Sequence, residues 1–229
     1  LEQQDSVRKI LNMIGRRIVN FEYIFAQLQK ISELAPHLRC SLRNMFMKSE
    51  KSRGLYSDIY FKCDMCNAVF CTSTDDHNST KIDVNMGAVS GIVSVGGGFS
   101  KLEEILACMD IPCMSKVFYS KMHERVSDGW KETAMEKMKA AVEKEAAYAR
   151  QINSIDDKGT PLITVVADGC WSKRSYRSNY NALSGVAAIV GHHFREVLYI
   201  DVRNKFCITC TKSASNESEL KEHNCYKNY

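Results

Sequence analysis

Four potential metal ligands near the carboxyl-terminal end constrain the fold of this chain more than any other feature. Cys207 and Cys210 form a CxxC pair, and His223 and Cys225 form an HxC pair after a gap of roughly twelve residues. Three thiolates and an imidazole are ligands that Zn²⁺ takes in closed tetrahedral sites. The spacing predicts a structural zinc site with no open position for water. The alternative is a set of buried cysteines beside an exposed histidine.

A second CxxC pair lies in the amino-terminal half, where Cys63 and Cys66 occur in the sequence FKCDMCNAVF. The flanking apolar residues predict two short strands that meet at a tight turn, a geometry typical of zinc sites. The alternative is a reduced turn that carries two small apolar side chains. Further ligands are available upstream in His37 and Cys40, with the spacing of a second pair, and downstream in Cys71 and His77.

The composition fits a reducing compartment and does not demand any one partner. Ten cysteines in 229 residues are too sparse for a disulfide scaffold, so the two cysteine clusters favour metal. A net charge of +4 permits binding to a polyanion without requiring it. No apolar run approaches the ~18 residues that cross a bilayer, and no signal peptide opens the chain. We expect a soluble intracellular protein.

The stretch from Leu162 to Tyr180, LITVVADGCWSKRSYRSNY, combines an apolar run with an acid and several cations. Its β-branched residues predict a buried strand, which we expect to end at Gly169, so that Asp168 lies at the strand's end. A carboxylate followed by cations is the minimum that metal-assisted phosphoryl transfer on nucleic acid needs. The alternative is a turn aspartate beside solvated cations. The cations are Lys173, Arg174 and Arg177.

Three strands are predicted after a polar boundary at Asn153 to Pro161. They run from Leu162 to Ala167, from Ala182 to Val190 and from Glu196 to Val202. Because the connections between them are short, an antiparallel meander is favoured over helical crossovers.

The region before that boundary is predicted to be largely helical. A helix is expected over Ser6 to Leu34, and the glycine-rich segment from Asn85 to Phe99 is expected to be a flexible connection, since it lacks the lysine and hydroxyl residue of a P-loop. Lys101 to Asp110 and Met114 to Val126 then predict helix, turn and helix, followed by a longer helix from Trp130 to Gln151.

The helix, turn and helix outline is compatible with DNA binding. Lys116, Lys121 and Arg125 lie on its second helix, where they would face a DNA groove. The alternative is an ordinary helical hairpin, which is the commoner structure.

Several blocks of the sequence, taken in order, resemble the Mutator-like transposase domain of invertebrate chains. They are GRRIVNFEYIFAQLQKI, GLYSDIYFKCDMC, the segment from NMGAV to GGGFSKLEEILACMDIPCMS, VVADGCWSKRSYRSNYNALSGVAAIVG, and VLYIDVRNKFCITC with the closing EHNCYKN. The resemblance extends over nearly the whole chain, and ordered blocks are more specific than any single motif.

The resemblance implies an α+β fold in which a helical, zinc-binding amino-terminal region precedes the first three strands of a ribonuclease H-like domain with a zinc knuckle. We expect residues 1–99 to hold the first helix and the CxxC region. Residues 100–158 form the helical region, and residues 159–229 form the partial core. The implied catalytic centre is an Asp, Asp, Glu triad that binds two Mg²⁺ or Mn²⁺ ions.

Only the first carboxylate of that triad has a match in this chain, and it is Asp168. Asp201 is a poor substitute, because the third strand lies about 10 Å from the first. We therefore expect the amino-terminal part of a DNA transposase, or an inactive, domesticated zinc module that binds DNA or protein. The implied partners are DNA and further copies of the chain, without a membrane or a small-molecule substrate. The implied location is the nucleus.

Overall fold

The structure is a computed structural model that describes residues 15–32, 41–76, 82–172, 182–215, 219, 222–223 and 225–228. Its helices are α1 (Phe21–Ser32), α2 (Val84–Ser94), α3 (Phe99–Cys108), α4 (Lys116–Gln151) and α5 (Ile208–Ser215). Its strands are β1 (Met45–Arg53), β2 (Tyr56–Cys63), β3 (Val69–Ser73), β4 (Val165–Trp171), β5 (Ser184–Gly191) and β6 (Val197–Asn204). They belong to two compact units, Leu1–Gly129 and Trp130–Tyr229.

The first unit contains an antiparallel sheet in the order β1, β2, β3. Strands β2 and β3 meet at the turn that carries Cys63 and Cys66, as the sequence predicted. Strand β1 was not predicted, because its sequence MFMKSEKSR is largely polar. It pairs with β2 along its whole length, with Glu50 opposite Ile59, and one bulge between Met47 and Ser49.

Residues 85–99 do not form the flexible connection that the sequence favoured. Most of them belong to α2, which Asp83 caps by accepting hydrogen bonds from the backbone N–H groups of Asn85 and Met86, both at 2.9 Å. The helix ends in a Schellman motif, in which Gly96 N–H donates to Val93 O and Gly97 N–H donates to Ile92 O. The glycines therefore stop one helix and lead into the next.

The hydrophobic core of the first unit lies between α2, α3, the first part of α4 and the tip of the β1–β2 hairpin. The hairpin tip contributes Leu55, and the helices contribute Val89, Ile92, Leu102, Leu106, Tyr119, Met122 and Val126, with Ile111 and Met114 from the connection between α3 and α4. The side chain of Asn85 joins α2 to the hairpin. Its Oδ1 accepts the backbone N–H of Leu55 at 2.8 Å, and its Nδ2 donates to Arg53 O at 3.1 Å.

Helix α1 begins later than the sequence predicted, and the expected portion from residue 6 to residue 14 lies outside the described residues. Gly15 has a φ of +88°, which interrupts any helix, and Asn20 then caps α1 by accepting the N–H of Tyr23. The intervening residues are tied to the unit. Arg17 makes a two-pronged ion pair with Glu50 on β1, at 2.6 and 2.7 Å.

Helix α4 is one continuous helix of 36 residues, where the sequence predicted two helices separated near Gly129. Gly129 stays helical because an exposed glycine costs a helix only about 1 kcal/mol. Two different stretches of α4 have buried side chains. Tyr119, Met122 and Val126 pack in the core of the first unit, and Ala141, Glu145 and Ala149 are buried within the second unit.

The second unit contains the predicted antiparallel meander, in the order β4, β5, β6. Helix α4 is anchored to the turn between β5 and β6. Glu145, only 3% exposed, accepts the N–H of Phe194 at 2.9 Å, and Tyr148 stacks on His193 with ring centroids 3.6 Å apart. Lys144 pairs with Glu196 at 2.8 Å.

None of the described helices combines the length and the hydropathy needed to cross a bilayer.

Candidate functional site

The carboxyl-terminal cysteines and histidine converge as the sequence predicted. Cys207 directly precedes α5 and Cys210 lies in its first turn, while His223 and Cys225 come from the segment that follows. The four ligand atoms all lie within 4.8 Å of one another. The Nε2 atom of His223 is 3.2 Å from Cys207 Sγ and 3.4 Å from Cys210 Sγ, and the Sγ atoms of Cys210 and Cys225 are 3.6 Å apart.

This donor set fits Zn²⁺ in both chemistry and size. Zinc–sulfur bonds of about 2.3 Å and zinc–nitrogen bonds of about 2.0–2.1 Å place tetrahedral ligands about 3.6–3.8 Å apart. The observed separations of 3.2 to 3.6 Å are within a few tenths of an ångström of that geometry. With four protein ligands the site is a structural one, because no position remains for water or substrate.

The two thiols of the CxxC pair differ in acidity. The pKa of Cys207 is lowered to about 6, first because the backbone N–H of Cys210 donates to its sulfur and then because that of Thr209 does so. The pKa of Cys210 is raised to about 11, because its thiol hydrogen-bonds to Cys225 and lies beside Cys207. The backbone N–H groups at the beginning of α5 thus favour the thiolate form of Cys207. A bound cation would also stabilise the thiolate form of Cys210, which lies beside two other cysteines.

The final segment is also fixed to the sheet by Asn228, a residue that no sequence signal had marked. Its Oδ1 accepts the N–H of Asn204 at 2.6 Å, and its Nδ2 donates to Val202 O at 2.8 Å. Its own N–H donates to Asn204 O at 2.9 Å. The segment that carries His223 and Cys225 is therefore held against the end of β6.

The amino-terminal zinc site stays a prediction. Cys63 ends β2 and is fully buried, and Cys66 is half-buried in the following turn. His37, Cys40 and His77 lie outside the described residues. Cys71 lies on β3 and pairs with Tyr60 of β2. Its side chain is therefore on the other face of the sheet from that of Cys63. Within the described ranges, the carboxyl-terminal cluster is the one group of three or more potential ligands that converges.

Asp168 lies in the middle of β4 rather than at its end. The strand continues through Gly169 to Trp171, because Gly169 pairs with Ala187 and keeps the register of the sheet. The Asp168 side chain is exposed, and its Oδ1 accepts the N–H of Gly169 at 2.7 Å. The prediction of a buried strand that stops at Gly169, with Asp168 at its end, was therefore wrong, since every residue of β4 is exposed and Asp168 lies in its middle. Asp168 does lie on the first strand of the meander.

The register of the sheet separates Asp168 from Asp201. Asp168 pairs with Ala188, which pairs with Ile200, so these three side chains share one face. Asp201 pairs with Ala187 and therefore points to the opposite face. The other paired positions on the Asp168 face are the apolar Val166, Cys170, Val186, Val190, Val197 and Val202, and the polar but uncharged Ser184 and Asn204 at one end of the sheet. A lone carboxylate does not fit a two-metal site, so the residues described on this sheet do not hold the Mg²⁺ or Mn²⁺ pair.

The predicted DNA-contacting cations do not form one described patch. Lys173, Arg174 and Arg177 lie outside the described residues, and Lys116, Lys121 and Arg125 are exposed on α4. Lys116 and Arg125 are nine positions apart, which places them on about opposite sides of the helix. Arg125 borders a pocket of about 450 Å³ together with Asp75, Asp76 and Asp83. Those carboxylates disfavour phosphate beside Arg125.

Comparison with known proteins identifies the family. No curated protein and no solved structure matches the chain. The family model for Mutator-like transposases matches residues 15–229, and these include the Cys207, Cys210, His223 and Cys225 cluster and the strand with Asp168. The chain belongs to the Mutator-like transposase family.

Proposed function

We propose that this chain is the zinc-stabilised, DNA-binding part of a Mutator-like transposase, in which Asp168 supplies the first carboxylate of the catalytic centre. The observation that carries the proposal is the family match over residues 15–229. The exposed Asp168 on the first strand of an antiparallel meander supports it, since a ribonuclease H-like core would place its first carboxylate there.

The residues divide between structure and chemistry. Cys207, Cys210, His223 and Cys225 hold Zn²⁺, which supplies no reaction chemistry in a closed site and keeps the final segment on the sheet. Asp168 presents its carboxylate from the side of the sheet that lacks Asp201. Catalysis by divalent ions needs further carboxylates on that side, and no described strand residue supplies them.

The DNA contacts are assigned to the cations that follow β4, namely Lys173, Arg174 and Arg177. Their position in the sequence, two to six residues after Trp171, would place phosphate-binding charge near Asp168. Such a transposase would act on chromosomal DNA, and we propose the nucleus as its location.

The test of DNA binding uses fluorescence anisotropy with a labelled 30-base-pair duplex pool over a range of salt concentrations. We expect the affinity to fall steeply with salt, and replacement of all three cations by alanine should flatten the slope by about 2–3. A matched control replaces three exposed lysines elsewhere, Lys101, Lys131 and Lys139, and should change the slope less. Affinity that ignores salt would contradict the proposal.

A second candidate function is a catalytically inactive, domesticated zinc module that binds DNA or protein. The observation that favours it is the apolar character of the described sheet face around Asp168. Strand nicking of duplex DNA with added Mg²⁺ or Mn²⁺, measured on a transposase that contains this chain together with the further carboxylates, separates the two candidates. An active transposase should lose nicking in Asp168→Asn while keeping DNA affinity, whereas the inactive module should show no nicking in either form.

A further inference from the structure

The face of the β4–β6 sheet opposite Asp168 carries a distinctive set of side chains, which we call the platform face. The pairing register places three residues from each strand in three rows across it. The rows are Ala167, Ile189 and Tyr199; Gly169, Ala187 and Asp201; and Trp171, Gly185 and Arg203. Six of these nine residues are exposed and the other three are half-buried.

The platform face is flat at its centre because its central residues are small. Gly169, Ala187 and Gly185 raise almost no side chain above the backbone. The indole of Trp171 lies across Gly185, since a Cβ added to that glycine would be 2.6 Å from Cε3 and 2.9 Å from Cζ3 of the ring. The tryptophan therefore rests on the sheet, and 49% of it is exposed to solvent.

A second aromatic ring lies at the diagonally opposite corner. Tyr199 lies on the edge strand β6 and is 54% exposed, so its ring is open to solvent. Strand spacing and rise per residue place the two aromatic positions roughly 16 Å apart. Exposed aromatic rings on a sheet surface are how several single-strand-binding domains stack two or three bases.

Cations accompany the aromatic rings. Arg203 lies in the same row as Trp171, and its Nη2 is 2.8 Å from Asp201 Oδ2, so the one carboxylate on the platform face is paired. Lys205, just beyond β6, has its Nζ 5.5 Å from the centroid of the Trp171 ring. Because Asp201 balances the charge of Arg203, the net positive charge beside the indole comes from Lys205, and a phosphate backbone would meet it there.

We propose that the platform face binds single-stranded DNA by stacking bases on Trp171 and Tyr199, with Arg203 and Lys205 contacting the phosphates. The inference rests on the proposed function and extends it to a second surface and a different form of DNA. Duplex DNA does not fit this chemistry, because its bases are already stacked on one another. The rings offer no hydrogen-bond pattern for one base, so the binding is expected to tolerate any sequence.

The test uses the fluorescence of Trp171. The chain has two tryptophans, so Trp130→Phe leaves Trp171 as the only one. We expect a twelve-nucleotide oligo(dT) to quench this fluorescence saturably and a duplex of equal length to quench it little. Anisotropy with labelled oligo(dT) should then show affinity about 5- to 100-fold weaker in Trp171→Ala and in Tyr199→Ala. Trp171→Phe should retain most of the affinity.

Two controls separate stacking from a loss of folding. Tyr226→Ala removes an even more exposed aromatic ring outside the platform face and should leave oligo(dT) affinity unchanged. Tyr199→Ala does not uncover Gly185, so it tests the face even if Trp171→Ala weakens the sheet. Circular dichroism and bound zinc verify that each variant is folded.

The outcomes distinguish this inference from the proposed function. Binding of oligo(dT) without quenching, or with unchanged affinity in both alanine variants, overturns the role of the platform face. Salt-dependent binding of duplex without any binding of oligo(dT) does the same and leaves the proposed function intact. Absence of binding to either form of DNA overturns both.

Discussion

Asn85 is a buried polar residue whose side chain has both of its functional groups occupied. It links α2 to the β1–β2 hairpin through the backbone of Leu55 and Arg53. The tip of the hairpin leaves room for the Asn85 side chain because residue 54 is a glycine. Gly54 has a φ of +69°, and a Cβ at that position would collide with Asn85 Oδ1. The amide therefore fixes the position from which Leu55 enters the core.

Replacement of Asn85 by alanine should lower the free energy of unfolding by about 1–3 kcal/mol, because it leaves buried backbone groups without partners. Asn85→Asp keeps the acceptor for Leu55 but sets a carboxylate oxygen against Arg53 O in a buried site, so it should be destabilising as well. Urea denaturation measures both, and Gln151→Ala at an exposed position is the control. An Asn85→Ala variant as stable as that control would contradict the proposed link.

Glu50 provides a pH-dependent contribution to stability. Hydrogen bonds from Arg17 lower the pKa of Glu50 below its usual 4.5, although burial opposes this effect. The pair therefore stabilises the fold at pH values above 4.5 and ceases to do so as pH falls through the lowered pKa. Glu50→Gln should cost about 1–2 kcal/mol at pH 7 and progressively less in acid. Denaturation at pH 7 and pH 3 tests this, and an equal loss at both values would be inconsistent with it.

At the scale of elements, three consecutive glycines separate α2 from α3. The backbone conformation and the space around the Cα differ among Gly96, Gly97 and Gly98. Gly96 has a φ of +71°, and a Cβ on Gly97 would lie 2.7 Å from Ile92 Cγ1. Gly98 has no atom within 4 Å of the corresponding position and an extended φ of −138°. The sequence shows three equivalent glycines, whereas the structure requires glycine at two of them.

We expect Gly96→Ala to destabilise the first unit by about 1–2 kcal/mol, because alanine disfavours the left-handed conformation. Gly97→Ala should destabilise it through the contact with Ile92, a residue of the core. Gly98→Ala is the matched control and should have little effect. Thermal unfolding of the three variants measures the difference, and equal losses at all three positions would refute the assignment of the Schellman motif.

The local sequence pattern predicted those elements whose own residues favour the observed secondary structure. The β-branched runs of β4, β5 and β6 and their short connections indicated the meander. The observed strands differ from the predicted ones in where they begin and end. Strand β1 was missed because its neighbour β2 and its ion pair with Arg17 hold it in place, and its own polar sequence does not. Helix α2 was missed because its sequence contains many small residues and no clear apolar periodicity. The features that mark it are the N-cap residue before it and the glycines after it.

At the scale of the whole molecule, the sequence predicted the convergence of the potential metal ligands better than the arrangement of carboxylates on the sheet. The spacing of Cys207, Cys210, His223 and Cys225 is local enough to imply convergence. The relation between Asp168 and Asp201 is not local, because a shift of one residue in register would exchange the two faces. The family match confirmed the identity that the ordered sequence blocks had indicated and that neither spacing nor register contains.

The two compact units should respond differently to the removal of zinc. The Cys3His cluster lies entirely in the second unit, and the core with Leu55, Val89 and Leu102 lies entirely in the first. Structural zinc contributes its binding free energy to folding. A chelator should therefore increase amide hydrogen exchange across β6 and α5, while α2 and α3 keep their protection.

Mass spectrometry under native conditions counts the zinc, and hydrogen exchange localises the effect. Cys210→Ser should lose one equivalent of zinc per chain and reproduce the chelator's pattern of exchange, because only three ligands, Cys207, His223 and Cys225, remain for a closed site that needs four. Cys108→Ser, at an exposed position at the end of α3, should lose none. Loss of a further equivalent in Cys66→Ser would assign the predicted amino-terminal site with Cys63, Cys40 and His37. Unchanged exchange in β6 after verified loss of zinc would mean that Asn228 alone holds the final segment on the sheet.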